Sequence, residues 1–314
     1  MPAPDPRLAV LIVNPGASRL RDAAVRERVV AAGVEALHRR GLDRVEVAVA
    51  ADRAEVRAAA ETAVAGGAAI VAVAGGDGTL RDASGPLAGS GVSVGVLPCG
   101  TGNLYAASVG IPRHLDWAMT TLATGTPHAH DVGEVRLERP GAPDQTLPFV
   151  VACGTGFDAR VMEAMDRESK RRYGVAAYFL AASRLLEHLR PRPTVVTVDG
   201  VATEIDAVVT LIANAGGAMP GGLRPRLPVP SDDGLLHVFV LPRGGVLGGV
   251  RGVVELLLAT SCGSSATGAG LRLTGQSVRV EVAPSEPVEV DGDPFGPGAL
   301  EARIRPGALQ VLRA

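Results

Sequence analysis

The chain has 314 residues, a formal net charge of −2, 46% apolar side chains and 3% aromatics. That length is ample for two domains with a core each. The near-neutral charge excludes a general nucleic-acid binder, which needs a concentrated basic surface to neutralise a phosphate backbone.

Residues 8–13 form a short β-branched run ending at Asn14-Pro15-Gly16, and 23–40 then space Val25, Val29, Val30, Val34 and Leu37 as a helix does. Residues 45–49 read as a second strand, 54–65 as a second helix, 69–74 as a third strand, and 92–97 as a fourth strand that runs into Gly100-Thr101-Gly102-Asn103. Such alternation predicts a parallel sheet covered by helices, with ligands at the carboxyl ends of its strands. Beyond about His130 the pattern changes to strands joined by Gly, Pro and Asp turns: 132–137, 149–152, 195–198, 208–213, 235–241, 271–273, 278–282 and 288–290. This half reads as a mainly antiparallel β-sandwich. Two apolar stretches interrupt it, 173–189 and 246–260, both read as helical, and 139–146 reads as a surface loop. The domains are expected at 1–129, with 301–314 returning to the first, and at 130–300.

Cys99, Cys153 and Cys262 are odd in number and widely spaced, which fits neither a disulfide framework nor a CxxC metal site and suits a reducing cytoplasm. The N-terminus lacks the basic-then-apolar pattern of a signal peptide and no run of about 18 uncharged apolar residues occurs, so membrane contact is expected to be peripheral, on the inner face. Lys170 is the only lysine and no glycine loop precedes it, which excludes a Walker-type phosphate loop.

A different phosphate loop is in view. Gly75-Gly76-Asp77-Gly78-Thr79 follows a buried-type strand and opens a helix, where free backbone N–H groups and the helix dipole favour an anion. Glycine is expected there because it admits φ > 0 and close backbone approach to a phosphate. A carboxylate beside phosphates is repulsive unless a divalent cation bridges them or the group handles a proton, which singles out Asp77. Taken alone, the same turn is an ordinary cap. One strand later Pro98-Cys99-Gly100-Thr101-Gly102-Asn103 ends a neighbouring strand, and Asn14 to Arg19 offers a third wall with Arg19 in reach of a phosphate. Asp291-Gly292-Asp293 reads on its own as a hairpin turn, as does Asp199-Gly200. His128 and His130 read as structural, since no partner cluster stands at metal-ligand spacing.

At these loops the chain resembles the diacylglycerol kinase, sphingosine kinase and NAD kinase superfamily, the bacterial soluble diacylglycerol kinases in particular. The resemblance rests on Asn14-Pro15, Gly75–Thr79, Pro98-x-Gly100-Thr101-x-Asn103 and Val109-Gly110-Ile111-Pro112 in the first half. In the second it rests on Asp131-Val132-Gly133, Gly154-Thr155-Gly156-Phe157-Asp158-Ala159, Gly174 with Ala177-Tyr178, Asn214, Gly221-Gly222, Asp233-Gly234-Leu235-Leu236 and Val290-Asp291-Gly292-Asp293. It implies an NAD-kinase-like α/β domain followed by a β-sandwich, with ATP as phosphate donor, Mg²⁺, and a lipid hydroxyl such as that of diacylglycerol as acceptor in an interdomain cleft. Gly75, Gly76, Asp77, Gly78, Thr79, Gly100, Thr101 and Asn103 would form the nucleotide site, with Asn14 and Arg19 beside the phosphates. Asp77 and Asp131 would join the active-site magnesium network, and Asp233 with the main-chain carbonyls of Pro230 and Leu235 a further magnesium site. Asp293 matches the family's proton acceptor, which is usually Glu. Other departures are Leu104 for an acidic residue, Arg81 for Asn, Ser18 for Gly, and Ala50-Ala51 where a Thr is common. The partners implied are a lipid at a membrane surface and a second copy of the chain in a homodimer. The basic run 167–172 before the apolar helix would suit an anionic membrane, or a solvated face beside a core helix. A kinase for a soluble polyol or nucleotide, and a nucleotide- or lipid-binding module without turnover, are the alternative readings.

Overall fold

The computed structural model describes residues 5–139, 141–156, 191–216, 229–242, 271–283 and 286–314. The helices read at 173–189 and 246–260, the basic run 167–172, and the motif residues 157–159, 174–178 and 221–222 lie outside the described residues. The chain forms two compact units, Met1–Val132 with Pro306–Ala314, and Gly133–Arg305.

The first unit alternates β1 (Asp5–Val13), α1 (Ala23–Arg39), β2 (Arg44–Val49), α2 (Arg53–Ala65), β3 (Ala68–Gly75), α3 (Asp77–Leu87) and β4 (Ser93–Pro98). Two further helices, α4 (Leu104–Ser108) and α5 (Leu115–Thr124), precede β5 (Thr126–Glu138). The strands run parallel in the order β2-β1-β3-β4. Apolar residues on both faces of β1 and β3 explain their central places, since a parallel sheet is covered on both sides by its crossover helices. Helix starts are set by local chemistry: Asp22 accepts the Val25 N–H at 3.0 Å, and Asp52 accepts that of Glu55 while Glu55 reaches back to Ala51 N–H at 2.7 Å. Each such cap contributes about 1 kcal/mol. Register does the rest. Val13 stands opposite Ala74 and Gly75 opposite Pro98, so the turns after β1, β3 and β4 emerge side by side at the carboxyl ends of three adjacent strands.

The second unit holds β6 (Gln145–Phe149), β7 (Ala152–Gly156), β8 (Arg192–Val198), β9 (Val201–Ala213), β10 (Leu236–Pro242), β11 (Leu271–Gly275), β12 (Ser277–Glu281), β13 (Pro287–Val290) and β14 (Asp293–Pro297), then the start of β15 (Ala299–Arg313). It is a β-sandwich built from antiparallel pairs. The first half of β9 pairs with β8, and its second half with both β7 and β10. Alternate residues of these strands, among them Cys153, Ile212, Val238, Val280, Val290 and Leu300, point into one buried core. At its far end β15 lies in the first unit, where Gln310 and Val311 pair in parallel with Ser93 and Val94 of β4.

The sequence reading of one strand over 149–152 is corrected. Phe149 ends β6 and Ala152 begins β7, with a bend at Val150 and Val151 between them. The apolar run looks continuous in sequence, yet the N–H groups of Val150, Val151 and Ala152 all turn to the Asp291 carboxylate instead of a neighbouring strand.

Candidate active site

In the first unit the glycine turns are brought into contact with each other. A Cβ on Gly100 would stand 2.5 Å from the Gly76 Cα, and one on Gly75 would strike the Thr79 side chain at 2.5 Å. Neither glycine is needed for φ > 0: Gly76 is extended (φ −101°), and neither Gly75 nor Gly100 has positive φ. That part of the sequence reasoning is corrected. The glycines serve close approach, of one loop to the other.

Thr79 is buried, and its Oγ1 accepts a hydrogen bond from Asn14 Nδ2 at 2.9 Å, while Asn14 Oδ1 accepts the Gly16 N–H at 2.8 Å. This stitches the turn after β1 to the head of α3. Asn103 takes the left-handed conformation (φ 50°) that Asn tolerates, and its amide closes a ring with Gly100: Oδ1 accepts the Gly100 N–H at 2.9 Å and Nδ2 donates to the Gly100 carbonyl at 2.7 Å. Thr101 is thereby left exposed at the loop tip.

Asp77 is the link between the loops. Its Oδ2 accepts the Leu104 N–H at 3.0 Å and its Oδ1 the Tyr105 N–H at 2.9 Å, so the first-turn acid of α3 satisfies the orphan amides of α4. Burial raises the Asp77 carboxyl from its ordinary value, and these backbone donors pull it the other way. No side chain caps α3 itself, so the amides of Gly78 and Thr79 head that helix without intrahelical acceptors.

Two guanidinium groups flank the tip. Arg19 Nη1 donates to the Arg113 carbonyl at 2.9 Å, and Arg113 Nη2 donates to the Thr101 carbonyl at 3.2 Å. The Cys99 carbonyl accepts both the Arg19 N–H and the Ser18 hydroxyl. Burial pushes the Cys99 thiol up to about 11, with the Arg19 charge pulling it down. Cys99 is therefore expected to resist alkylation by iodoacetamide at pH 8 in the native protein and to react once denaturant is added, as read by peptide mass spectrometry. Arg81, noted in the sequence as a departure, is fully buried, and its Nε donates to Asp82 Oδ1 at 3.0 Å.

The other acidic residues are distributed. Asp131 is buried on β5 of the first unit, where its Oδ1 accepts the Gly307 N–H at 2.7 Å. Nearby His130 is buried with its ring edge-on to Tyr105 at 6.3 Å between centroids. In the second unit Asp233 Oδ1 accepts the Leu235 N–H at 3.1 Å and its Oδ2 meets His237 Nε2 at 2.9 Å, while Pro230 is exposed. Asp293 opens β14 opposite Val290, directly after the turn at Asp291 (φ 49°) and Gly292 (φ 78°). Among the described residues no three His, Cys, Asp or Glu side chains converge as a metal cluster.

Two family models match the chain: the diacylglycerol kinase catalytic domain over residues 8–135 and the YegS C-terminal NAD kinase beta sandwich-like domain over 151–313. The chain belongs to the diacylglycerol kinase catalytic-domain family. Membership puts it among the kinases, which transfer phosphoryl groups. A Pseudomonas aeruginosa protein named as a probable lipid kinase, YegS-like, is 31% identical over 248 residues, covering 75% of this chain and 73% of its own. An uncharacterised Synechocystis protein is 28% identical over 237 residues, which span 75% of this chain but 53% of that longer protein. A proposed diacylglycerol kinase of Bacillus anthracis has the same fold, with a TM-score of 0.78 at 20% identity, covering 98% of this chain and 95% of that one.

Within this diacylglycerol kinase family chain, sequence reasoning missed three residues. Arg113 follows Val109-Gly110-Ile111-Pro112 directly, a position the motif itself marks. His237 lies two residues beyond Leu235, on a strand read only as apolar. Asp291 was read as a turn former, yet its carboxylate accepts three backbone N–H groups, from Val150 at 3.0 Å, Val151 at 2.8 Å and Ala152 at 3.0 Å. Asp291→Asn keeps a residue that tolerates positive φ and removes the charge, so the loss of roughly 2 kcal/mol of stability expected from charge-assisted bonds should show directly in urea unfolding.

Proposed function

We propose that the chain is an ATP- and Mg²⁺-dependent lipid kinase that phosphorylates the hydroxyl of diacylglycerol or a closely related lipid. The observation that carries this reading is the apposed pair of glycine loops, Gly76 against Gly100, packed too closely to admit a Cβ at Gly100, beside the uncapped head of α3. Backbone amides there, with the Arg19 and Arg113 guanidinium groups, suit the oxygens of a polyphosphate. Asn14 and Thr79 hold the wall of the site, Gly78 sits in the first turn of α3, and Asn103 gives the second loop its shape so that Thr101 would meet the nucleotide.

The acids offer hard oxygen donors alone, the set that Mg²⁺ prefers, with one or two carboxylates and main-chain carbonyls supplemented by water. Asp233 with the Pro230 and Leu235 carbonyls would hold one ion, and Asp77 and Asp131 would steady the network around another. Bound Mg²⁺ would screen the phosphate charges so that an oxygen nucleophile can approach. In the transfer itself the lipid hydroxyl oxygen forms a bond to the γ-phosphorus, the bond to the bridging oxygen of ADP breaks, and the hydroxyl proton passes to Asp293. The lipid acceptor would be met at a membrane surface; among the described residues no helix is long and apolar enough to cross a membrane.

The reading is tested with radiolabelled ATP, Mg²⁺ and phosphatidylcholine vesicles with and without diacylglycerol. Label in a chloroform-soluble phosphatidic acid product is expected. Label transferred to glycerol or a nucleoside but to no vesicle lipid would replace the lipid acceptor by a soluble one, and ATP binding with no transfer to any alcohol would leave a binding module.

A further inference from the structure

Beyond the proposed phosphate loops, a polar cluster lies on the β10–β11 pair. His237 stands opposite Thr274 and Phe239 opposite Arg272, so His237, Phe239 and Arg272 share one face of the sheet. His237 is 4% exposed. Its Nδ1 lies 3.0 Å from Arg272 Nη2 and its Nε2 lies 2.9 Å from Asp233 Oδ2. Arg272 is itself held over the Phe239 ring, 5.4 Å from the centroid.

The chemistry of the partners fixes the ring. A guanidinium has donors and no acceptor, so Nδ1 must accept from Arg272 and the ring proton belongs on Nε2. There it donates to Asp233. The consequence is specific: with Nδ1 facing the Arg272 donor, the ring meets the carboxylate through its Nε2–H. Asp233 is thus held at both oxygens, by the Leu235 N–H at Oδ1 and by His237 at Oδ2, and each oxygen keeps a lone pair.

We propose that His237, held by Arg272 in its Nε2–H form, is a positioning residue that orients the Asp233 carboxylate for a divalent cation. This rests on the assignment of Asp233 as a magnesium ligand made above, and it adds a partner to a ligating carboxylate of the kind that tunes metal affinity.

The test uses the full chain and MgCl₂ or MnCl₂ alone, with cation binding read by titration calorimetry and by the cation-dependent shift in melting temperature. His237→Leu is expected to weaken cation binding about tenfold or more, as loss of such a supporting contact does. His237→Gln, whose amide N–H reaches the same carboxylate oxygen, should restore most of the affinity, and Arg272→Met should fall between them. A His237→Leu protein that melts lower but binds the cation with unchanged affinity would show a purely structural histidine and overturn the proposal. Should that variant not fold, ¹⁵N resonances of the wild-type imidazole decide: an Nε2–H tautomer whose Nε2 signal moves on Mg²⁺ addition supports the proposal, and an Nδ1–H tautomer or a stationary signal overturns it. Unchanged cation affinity in Asp233→Asn would overturn this inference together with the Asp233 assignment. ATP binding and lipid phosphorylation, measured separately, report on the kinase reading alone.

Discussion

Replacing Gly100 by Ala is expected to weaken nucleotide binding at least about tenfold in a protein that still folds. The added methyl would lie 2.5 Å from the Gly76 Cα and 2.9 Å from Asn103 Oδ1. The first of these neighbours is backbone and the second is tied into a ring with Gly100, so neither can move aside cheaply. Overpacking of this sort costs about 1–3 kcal/mol, and here the strain is released by spreading the two loops whose contact shapes the cradle. ATP affinity by calorimetry should fall by at least about tenfold, the equivalent of 1.4 kcal/mol, with a lowered melting temperature. Gly76→Ala is a graded control: its methyl would stand 3.2 Å from the Gly100 Cα, so its effect should be in the same direction and smaller. Wild-type ATP affinity in Gly100→Ala would mean that the nucleotide does not use this cradle.

Asp293→Ala is expected to lower phosphoryl transfer by about 10²–10⁴-fold while ATP binding is kept, the range for loss of a positioned general base. Asp293→Glu, which supplies the longer acid usual in the resembling kinases, should stay active, because the added methylene lengthens the reach toward the same proton. Turnover on diacylglycerol vesicles and ATP binding need to be measured on the same preparations. An Asp293→Ala rate equal to wild type would transfer the proton-accepting role to another group.

The parallel half of the fold was legible because three of its strands announce their ends. β1, β3 and β4 each run from a mostly apolar segment into Gly, Pro or Asn, and the predicted bounds fall within a residue or a few of the observed ones. α4 was not legible, for a physical reason: five residues long, it starts from a left-handed Asn103, and its first amides are satisfied by Asp77, from 27 and 28 positions earlier. No local pattern encodes such a cap. The sandwich was recognised as a class from its turns, and the Asp199-Gly200 and Asp291-Gly292 turns both have positive φ at both residues, as type I′ hairpin turns require. Its strands were read less well where side-chain chemistry replaces the ladder. The break at Val150–Ala152 depends on Asp291, some 140 positions later, and the short β6, β7 and β14 carry too few alternating residues to stand out.

The candidate site was legible in kind and less so in cause. The glycine loops were found because glycine is conspicuous, whereas the reason for it, contact between two loops one strand apart, exists only in three dimensions. Arg113 and His237 act through main-chain and side-chain partners that sequence spacing does not reveal.

The Asp77 link also carries a consequence for the order in which the protein can be made. During synthesis the chain leaves the ribosome N-terminus first, and the turn at Gly75–Thr79 emerges well before Leu104 and Tyr105, whose amides hold the Asp77 carboxylate. Until those residues are out, the acid has no partner at its proper distance and Gly76 has no loop to rest against. The part of β15 that pairs with β4 emerges later still. A nascent chain stalled before residue 104 would therefore display the Gly75–Thr79 sequence without its shape, and the proposed nucleotide site would take form only with the arrival of the second loop and α4.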